Sequence, residues 1–380
     1  MVTGIICEYN PLHTGHKKQL DTIRSQFPEG GIVCLMSGNY VQRGMPALVD
    51  KSLRAKAAVL CGADLVLELP LTASLSSAEG FAAQGVGILK GFCQQLCFGS
   101  ETGSKEALMA TARALLSSEF SQGLRAQLDT GISFPAARQQ ALEAMGLDAR
   151  LLSQPNDILA TEYCKAILSQ NTQMEPLVIL RQGDYHDTCP DLENPSATAL
   201  RQQMLRQDHW ESYVPQAARE CFRGAALHTL EAGERAVLAR LRSMAEADFA
   251  ALPYGSEGLW RKLMRAVHQK ASLEAIITAV KSKRYTRTRL DRMLLCAFLG
   301  LTAEDLASPA PYVRVLALNN RGREILKQAR ATGCFVNAGE AQENAYQTLE
   351  TRAGDLYGLF AQNVPEDPGV EAARRVYYQP

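Results

Sequence analysis

The first 200 residues alternate between two hydrophobic periods, and this alternation limits the fold more than any other feature of the chain. Short apolar runs, typical of buried strands, lie between segments whose apolar residues are spaced three and four apart, as in helices. Strands are predicted at residues 3–7, 31–38, 64–70, 95–100 and 176–183. Helices are predicted from about His13 and at 51–63, 76–89, 105–117, much of 121–146, and 157–169. Strands separated by helices indicate a parallel sheet in an α/β domain.

The chain changes character near residue 210. Beyond this point the strand signal fades, and helical spacing dominates at residues 228–244, 272–284 and 287–300. We therefore predict an α/β domain at residues 1–210 and a mainly helical domain at residues 211–380. A length of 380 residues agrees with two domains of common size.

Charge is distributed unevenly, although its total is zero. Residues 258–330 contain 15 lysines and arginines against 5 aspartates and glutamates, and the remainder of the chain is acidic. A basic block of this kind favours a polyanionic partner.

The ten cysteines are scattered and form no CxxC pair, which favours free thiols over disulfides or a zinc site. No stretch reaches the roughly 20 apolar residues of a membrane span, and the first apolar run is too short for a signal peptide. We expect a cytoplasmic protein with no metal ligands of its own and with neither a membrane nor DNA as a partner.

The stretch EYNPLHTGH, residues 8–16, follows the first predicted strand and opens the first predicted helix. Ligands of open α/β sheets bind at the carboxyl ends of the strands. Asn10-Pro11 turns the chain, Gly15 permits a close approach, and His13 and His16 share one face of the helix. Free N–H groups and the positive end of the helix dipole favour an anion there. A structural turn and a metal pair are the alternatives, although no third ligand is near in the sequence.

The HxGH pattern after a first strand resembles the nucleotidyltransferase superfamily, which transfers adenylate from ATP and holds the ATP phosphates with these histidines and the helix end. The longer stretch IICEYNPLHTGH resembles the start of the bacterial tRNA(Met) cytidine acetate ligases, which typically read near GIIAEYNPFHNGH. Cys7, Leu12 and Thr14 depart from that pattern by conservative changes.

The resemblance continues in order along most of the chain. The matching segments are MSGNYVQRGMPALVDKSLRAKAA (36–58), LVLELP (65–70), FGSE (98–101), SQPNDILATEYCKAI (153–167), LRQGDYHD (180–187), NPSATALR (194–201) and KRYTRTRLDRMLL (283–295). The family implies a Rossmann-like nucleotidyltransferase (HUP-type) parallel sheet with a mainly α-helical C-terminal domain.

The resemblance also implies the site residues. Catalytic roles are expected for His13, His16 and Arg181, which would stabilise the charge of the leaving pyrophosphate. ATP contacts are expected from Ile6, Cys7, Glu8, Tyr9, Asn10, Pro11, His13, Gly15, His16, Gly99, Asn156, Arg181, Gln182, Ser196 and Thr198.

Several of these positions also have a physical reading from their place in the sequence. Gly99 ends a strand, where glycine lets a nucleotide lie against the backbone. Asn156 stands where an N-cap is favoured, and a strand-end arginine such as Arg181 can bind phosphate. Ser196 and Thr198 begin a helix, a suitable phosphate site, with Arg201 one turn further on. The structural alternatives are a plain turn, helix caps and a surface ion pair.

The sequence leaves two alternative roles for each of two short segments. Asp184, His186 and Asp187 could assist a proton or magnesium, or form a structural polar loop. Gln42-Arg43-Gly44 could face either the acyl group or the RNA.

The segment KSKRYTRTRLDR, residues 281–292, contains six lysines and arginines with one tyrosine among them. Basic side chains attract phosphates and an aromatic ring can stack on a base, whereas a solvated helix face is the alternative. Beside the family resemblance, tRNA contacts are expected from Lys281, Lys283, Arg284, Tyr285, Arg287, Arg289 and Arg292.

The function implied by the resemblance is an ATP-dependent ligase. Acetate attacks the α-phosphorus of ATP to give acetyl-adenylate, and the exocyclic amine of the wobble cytidine of elongator tRNA(Met) then takes the acetyl group. Mg²⁺ is expected with ATP. Two other functions are a small-molecule adenylyltransferase, which gives the basic half no role, and a non-catalytic tRNA-binding protein, which leaves the two histidines unexplained.

Overall fold

The structure is a computed structural model that describes residues 1–181, 195–329, 335–337, 340–341, 343–365 and 367–380. Its main sheet contains β1 (Val2–Cys7), β2 (Gly31–Ser37), β5 (Leu65–Leu69), β6 (Gln95–Ser100), β7 (Glu175–Leu180), β8 (Val313–Asn319), β9 (Phe335–Val336) and β10 (Tyr377–Gln379). A separate hairpin contains β3 (Tyr40–Val41) and β4 (Met45–Pro46).

The order in the main sheet is β10-β8-β5-β2-β1-β6-β7, with β9 paired to β8. The five strands predicted from the sequence are β1, β2, β5, β6 and β7, and each pairs in parallel with its neighbour among them. Helices cover a parallel sheet on both faces, which explains why most of these strands read as continuous apolar runs. The predicted Rossmann-like class is confirmed.

The first 210 residues contain nine α-helices among those that the structure describes. They are α1 (Thr14–Gln26), α2 (Lys51–Leu60), α3 (Leu71–Ser74), α4 (Ala78–Leu89), α5 (Lys105–Leu115), α6 (Ser118–Asp129), α7 (Phe134–Ala144), α8 (Pro155–Ser169) and α9 (Ala197–Arg206). The predicted helical stretch 121–146 contains parts of two helices, because Gly131 interrupts it with a φ of 85°.

The remaining helices lie in the second part of the chain. They are α10 (Gln216–Phe222), α11 (Leu230–Ser243), α12 (Glu246–Ala250), α13 (Leu259–Gln269), α14 (Leu273–Val280), α15 (Arg287–Leu299), α16 (Ala303–Ala307), α17 (Asn320–Ala329), α18 (Ala345–Tyr357) and α19 (Val370–Ala373). Short 3-10 helices occur at Ala149–Leu152, Trp210–Tyr213 and Gly358–Phe360. The basic segment 281–292 is therefore a loop followed by the first turns of α15.

The C-terminal part also contributes strands to the first sheet, which the sequence analysis did not predict. β8 pairs antiparallel with β5, and the Asn319 N–H donates to the Asp64 carbonyl at 2.9 Å. The division of the chain at residue 210 stays a prediction, and the sheet draws on residues from both sides of it.

A buried ionic cluster fastens the C-terminal segment to the sheet. Lys51 Nζ lies 2.6 Å from a Glu68 oxygen and also pairs with Glu371. Arg314 Nη1 lies 2.5 Å from Glu371. Burial opposes ionisation of Glu371, yet the cations Lys51, Arg314 and Arg374 around it lower its pKa to about 2. Losing one partner would leave an uncompensated buried charge, so this contact is sensitive to substitution.

The β3–β4 hairpin connects the sheet to the helical half. Tyr40 is buried in the core formed mainly by α11–α15, and its hydroxyl donates to the Ala353 carbonyl at 2.8 Å. In the reverse direction, the Tyr357 hydroxyl donates to the Ala47 carbonyl at 2.8 Å. The segment after β2 is therefore held from both halves.

Among the described residues there is no disulfide, no cluster of metal ligands and no helix that could span a membrane. The cysteines among them are free thiols, all but Cys7 buried. No group of three or more histidine, cysteine, aspartate and glutamate side chains among them is arranged to hold a metal ion. No helix in this part of the chain has both the length and the apolar character needed to cross a bilayer.

Candidate active site

A cavity of about 560 Å³ lies at the carboxyl ends of β1, β6 and β7. Most of the predicted ATP residues form part of its wall: Ile6, Cys7, Glu8, Tyr9, Asn10, His13, Gly15, His16, Gly99, Asn156, Arg181, Ser196 and Thr198. Pro11 is buried next to this wall without forming part of it. Gln182, like Asp184, His186 and Asp187, falls outside the described residues.

The turn after β1 is fixed by long-range hydrogen bonds. Tyr9 has a φ of 44°, and the Asn10–Pro11 peptide is cis. Asn10 Oδ1 accepts the Leu48 N–H at 2.7 Å, and the Asn10 carbonyl accepts from Arg201 Nη1 at 2.9 Å. The loop that carries the histidines is therefore held by both α9 and the segment after β4.

The two histidines stack at the start of α1. Their ring centroids are 3.7 Å apart, and the His13 N–H donates to His16 Nδ1 at 3.3 Å. His13 is buried, and its Nδ1 has no hydrogen-bond partner in the described part of the chain. A Cβ on Gly15 would lie 3.0 Å from the His13 ring, so glycine keeps this ring in place.

Both imidazoles are neutral at neutral pH. Burial, reinforced by Arg181 and Arg201, lowers the pKa of His13 to about 3. Burial also lowers the pKa of His16 well below its usual value, with His13 and Arg181 acting in the same direction. A neutral imidazole still has one N–H to donate. The pair can therefore donate hydrogen bonds to an anion, and no third metal ligand accompanies it among the described residues.

Gly99 and Asn156 position the side chain of Arg181. A Cβ on Gly99 would lie 2.8 Å from Arg181 Cγ and Cδ, so the missing side chain makes room for the arginine. Asn156 Oδ1 accepts from Arg181 Nη1 at 3.2 Å. Asn156 was also considered as an N-cap, and this is wrong, because α8 begins at Pro155 and its N-cap is Gln154.

Glu101 holds Asn156 in this orientation, and the sequence analysis did not select it. Glu101 Oε1 accepts from Asn156 Nδ2 at 2.5 Å and Oε2 accepts the Asp157 N–H at 2.8 Å. Glu101 is the last residue of FGSE, but its partners lie more than fifty positions away and reach it only because α8 begins beside the end of β6.

The start of α9 forms the other side of the cavity. Ser196 Oγ accepts the Ala199 N–H at 3.4 Å, as an N-cap does. Thr198 Oγ1 accepts from Arg201 Nη2 at 3.0 Å. The sequence analysis placed Arg201 one turn after Ser196 and Thr198 but did not predict it as a site residue. In the structure it lines the cavity.

The cavity wall is strongly cationic. Among the described residues that line it, Lys18, Arg43, Arg181 and Arg201 are cations and Glu8 is the only carboxylate. Arg181 stays accessible to solvent, yet the protein around it lowers its pKa, with Glu101 acting in the opposite direction. Arginine stays protonated under such shifts, so the site suits a polyphosphate.

The turn of the β3–β4 hairpin joins the cavity to α15. Glu8 Oε1 accepts the Gln42 N–H at 2.9 Å, and the Gln42 carbonyl accepts from Arg292 Nη1 at 3.3 Å. Gly44 has a φ of 79°, and a Cβ there would lie 2.3 Å from the Arg292 nitrogen. The turn therefore requires glycine at this position.

The basic segment is largely engaged in contacts with the protein itself. Arg284 pairs with Glu257 at 2.5 Å. Arg287 pairs with both Glu274 and Asp291.

The other arginines of the segment bind backbone carbonyls. Arg289 donates to the Tyr254 carbonyl at 2.7 Å and lies over the Tyr285 ring, whereas Arg292 is buried. Lys281 and Lys283 are exposed and make no ion pair with any residue that the structure describes.

Among the described residues that line the cavity, no nucleophile for covalent catalysis is indicated. Burial raises the pKa of the Cys7 thiol well above its usual value, so the thiol is not a ready thiolate. The arrangement instead offers hydrogen-bond donors and positive charge around the cavity. Such a site can bind a triphosphate and stabilise charge that develops on it.

Comparison with known proteins extends these observations. A family model described as HIGH nucleotidyl transferase matches residues 1–370. A tRNA(Met) cytidine acetate ligase from Clostridium tetani is 35% identical over 388 residues, covering 96% of each chain. One from Anoxybacillus flavithermus is 34% identical over 397 residues, covering 99% of this chain and 98% of the relative.

Two solved structures of Thermotoga maritima TmcAL are also similar. The apo form has a TM-score of 0.90 at 28% identity. The form bound with alpha-thio ATP has a TM-score of 0.88 at 27% identity. Each covers 99% of both chains.

Proposed function

The chain belongs to the HIGH nucleotidyl transferases and, within them, to the tRNA(Met) cytidine acetate ligases, and from this premise we propose how its cavity works. The protein is an ATP-dependent ligase that acetylates a cytidine of tRNA(Met). The observation that carries this proposal is the pair of stacked, neutral histidines at the start of α1, flanked by Arg181 and Arg201 in a cavity.

In the first step, acetate attacks the α-phosphorus of ATP, and acetyl-adenylate and pyrophosphate form. Negative charge grows on the leaving pyrophosphate, and donors already fixed in position lower the energy of that state. We assign this role to His13, His16 and Arg181, with Arg201 and the start of α9 beside them. No protein nucleophile takes part, so catalysis consists of positioning and charge stabilisation.

ATP phosphates are held by the predicted residues that line the cavity, apart from Glu8, whose carboxylate would repel them. Gly99 and Asn156 lie at the β6–α8 side, and the histidines lie at the start of α1. The described wall has a single carboxylate, which is too few ligands for Mg²⁺ to be held by the protein alone. The residues therefore do not form a resident metal site, and Mg²⁺ would arrive with the ATP phosphates.

In the second step, the exocyclic amine of the wobble cytidine of elongator tRNA(Met) attacks the acetyl carbon, and AMP leaves. The base must leave its stack to reach the adenylate, which single-stranded loops permit. The exposed loop before α15 supports RNA contact, since the side chains of Lys281 and Lys283 make no ion pair with any described residue. A cytoplasmic location follows from a tRNA substrate.

The test uses purified protein with radiolabelled acetate, ATP and elongator tRNA(Met). We expect label in the tRNA only when ATP is present, and much less with initiator tRNA or with a tRNA whose wobble base is not cytidine. Label that forms acetyl-adenylate but never reaches tRNA would favour a small-molecule adenylyltransferase. Tight tRNA binding without adenylate formation by the folded protein would favour a non-catalytic binding protein.

A further inference from the structure

The carboxylate of Glu8 does not fit a role in phosphate binding. It is the only acidic side chain among the described residues that line the cavity, where four cations also lie. A carboxylate beside a triphosphate repels it. Glu8 must therefore serve another purpose in the cavity.

Glu8 is held at both its backbone and its side chain. Its carbonyl accepts from Arg54 Nη1 at 2.6 Å, and Arg54 is fully buried. Its Oε1 accepts the Gln42 N–H at 2.9 Å. Its Oε2 accepts no hydrogen bond from any residue that the structure describes. One oxygen thus fixes the carboxylate, and the other is available.

Hydrogen bonds through Gln42 connect Glu8 to the helical half of the protein. Gln42, which donates to Glu8, accepts from Arg292 of α15 through its carbonyl at 3.3 Å. Arg292 is itself buried, but it belongs to the segment proposed to contact tRNA. A single residue of the hairpin turn therefore separates Glu8 from α15, and an acceptor nucleotide held along α15 would reach the cavity on this side.

The transfer step requires a base. When the cytidine amine adds to the acetyl carbon, its nitrogen carries a proton that must leave before the amide is complete. A positioned general base contributes about 10²- to 10⁴-fold to such a step. His13 is a poor candidate, because burial and two arginines lower its pKa to about 3 and it adjoins the phosphate-binding side.

We propose that the Glu8 carboxylate is the general base of the acetyl-transfer step. Its Oε2 takes a proton from the exocyclic amine as the N–C bond forms to the acetyl carbon. The C–O bond to AMP then breaks, and its electron pair remains on the phosphate oxygen. The proton passes from Glu8 to water. This assignment rests on the proposed function, because only transfer to an amine calls for this base.

The test separates the two steps in Glu8→Gln, which keeps the size of the side chain. Acetate-dependent ATP–pyrophosphate exchange reports the first step. Single-turnover transfer from supplied acetyl-adenylate to elongator tRNA(Met) reports the second. We expect transfer to fall about 100-fold or more, and to fall much further than exchange does.

Glu101→Gln is the matched control, since Glu101 is a second carboxylate close to the cavity. It holds Asn156 and the start of α8, so the variant should raise the KM for ATP in exchange. Its transfer rate at saturating acetyl-adenylate should be retained. The two carboxylates would then show opposite patterns.

Glu8→Ala provides a second readout that a structural role would not produce. Added formate should partly restore transfer in this variant by supplying a carboxylate in the vacated space. Acetyl-adenylate is supplied in this assay, so formate does not compete as an acyl substrate. Failure of formate to restore any transfer, in a variant with an unchanged melting temperature, counts against the base.

Other outcomes overturn the assignment. Unchanged transfer in Glu8→Gln excludes the base while leaving the proposed function intact. Loss of exchange that excess Mg²⁺ restores makes Glu8 a ligand of the ATP-bound ion instead. Exchange by the unmodified protein without any transfer from acetyl-adenylate to tRNA overturns the proposed function, and the base with it.

Discussion

Two regions of the molecule are rich in cations, but they use these cations differently. In the cavity, Arg181 and Arg201 belong to a wall that has one carboxylate among its described residues. In the basic segment 281–292, Arg284 and Arg287 are paired with carboxylates of the protein. The described cavity wall has four cations and the basic segment has six, but the availability of their charge differs.

This difference in availability separates two electrostatic roles, strong binding of a ligand in a cavity and weak, salt-screened attraction at a surface. Partly desolvated charges interact strongly with a ligand because the surrounding dielectric constant is low. Exposed ion pairs are screened by water and salt and contribute little. We expect the cavity to control the chemistry and the basic segment to control salt-dependent attraction of RNA.

The largest expected effect comes from His16→Ala. Removal of a fixed donor from a charge-stabilising site costs about 10²- to 10³-fold in rate, and ATP–pyrophosphate exchange measures this loss. Binding of elongator tRNA(Met), measured by filter retention, should change little. Equal losses in both assays would break the division between the two regions.

A smaller effect is expected from charge reversal in α15. Arg287→Glu combined with Arg289→Glu should weaken tRNA binding about tenfold or more at low salt, because two attractive charges become repulsive. Exchange without tRNA should keep its rate. Loss of exchange in this variant would mean that the basic segment also shapes the nucleotide cavity.

The pH dependence of stability tests the desolvated character of the cavity. The pKa of His13 is about 3 in the folded protein against 6.5 as its ordinary value, so the unfolded chain binds more protons between these limits. The free energy of unfolding should therefore fall as the pH is lowered through this window, by about 1 kcal/mol for each pH unit. Urea titrations of the native protein and of His13→Asn measure this contribution as the difference between them. Parallel pH profiles would show that His13 is not desolvated.

The smallest effect compares free and paired cations within the basic segment. Lys281→Gln with Lys283→Gln should reduce the slope of log Kd against log salt by about two, because each lysine would neutralise one phosphate of the RNA. Arg284→Gln with Arg287→Gln should change the slope less, because these side chains must first leave their carboxylates. A larger change for the arginine pair would show that the ion pairs open when RNA binds.

Much of the fold was predictable because it rests on local patterns. The apolar runs that became β1, β2, β5, β6 and β7 are long enough to identify, and the helices between them keep their period. The strand β8 was missed because its partner β5 lies far away in the sequence. No local pattern shows that VRVLALN joins an existing sheet.

The parts of the candidate site that lie in continuous stretches of the sequence were predictable. HxGH, Gly99, Asn156 and the start of α9 each stand at a strand end or a helix start. Glu101 and the turn Gln42–Gly44 took their roles only from distant neighbours. Glu101 acts through α8, and Gly44 contacts the backbone of Arg292.

The sequence by itself determined the parallel sheet, the place of the histidines at its ligand-binding edge and the presence of a basic segment. The tertiary structure decided which charges are available, because ion pairing joins residues from separate elements. It also decided that the histidines are neutral, since desolvation depends on everything packed around them. Glu8 acquired its position in the same way: the hairpin, held by α15, brings a backbone N–H to one oxygen of this cavity-lining carboxylate.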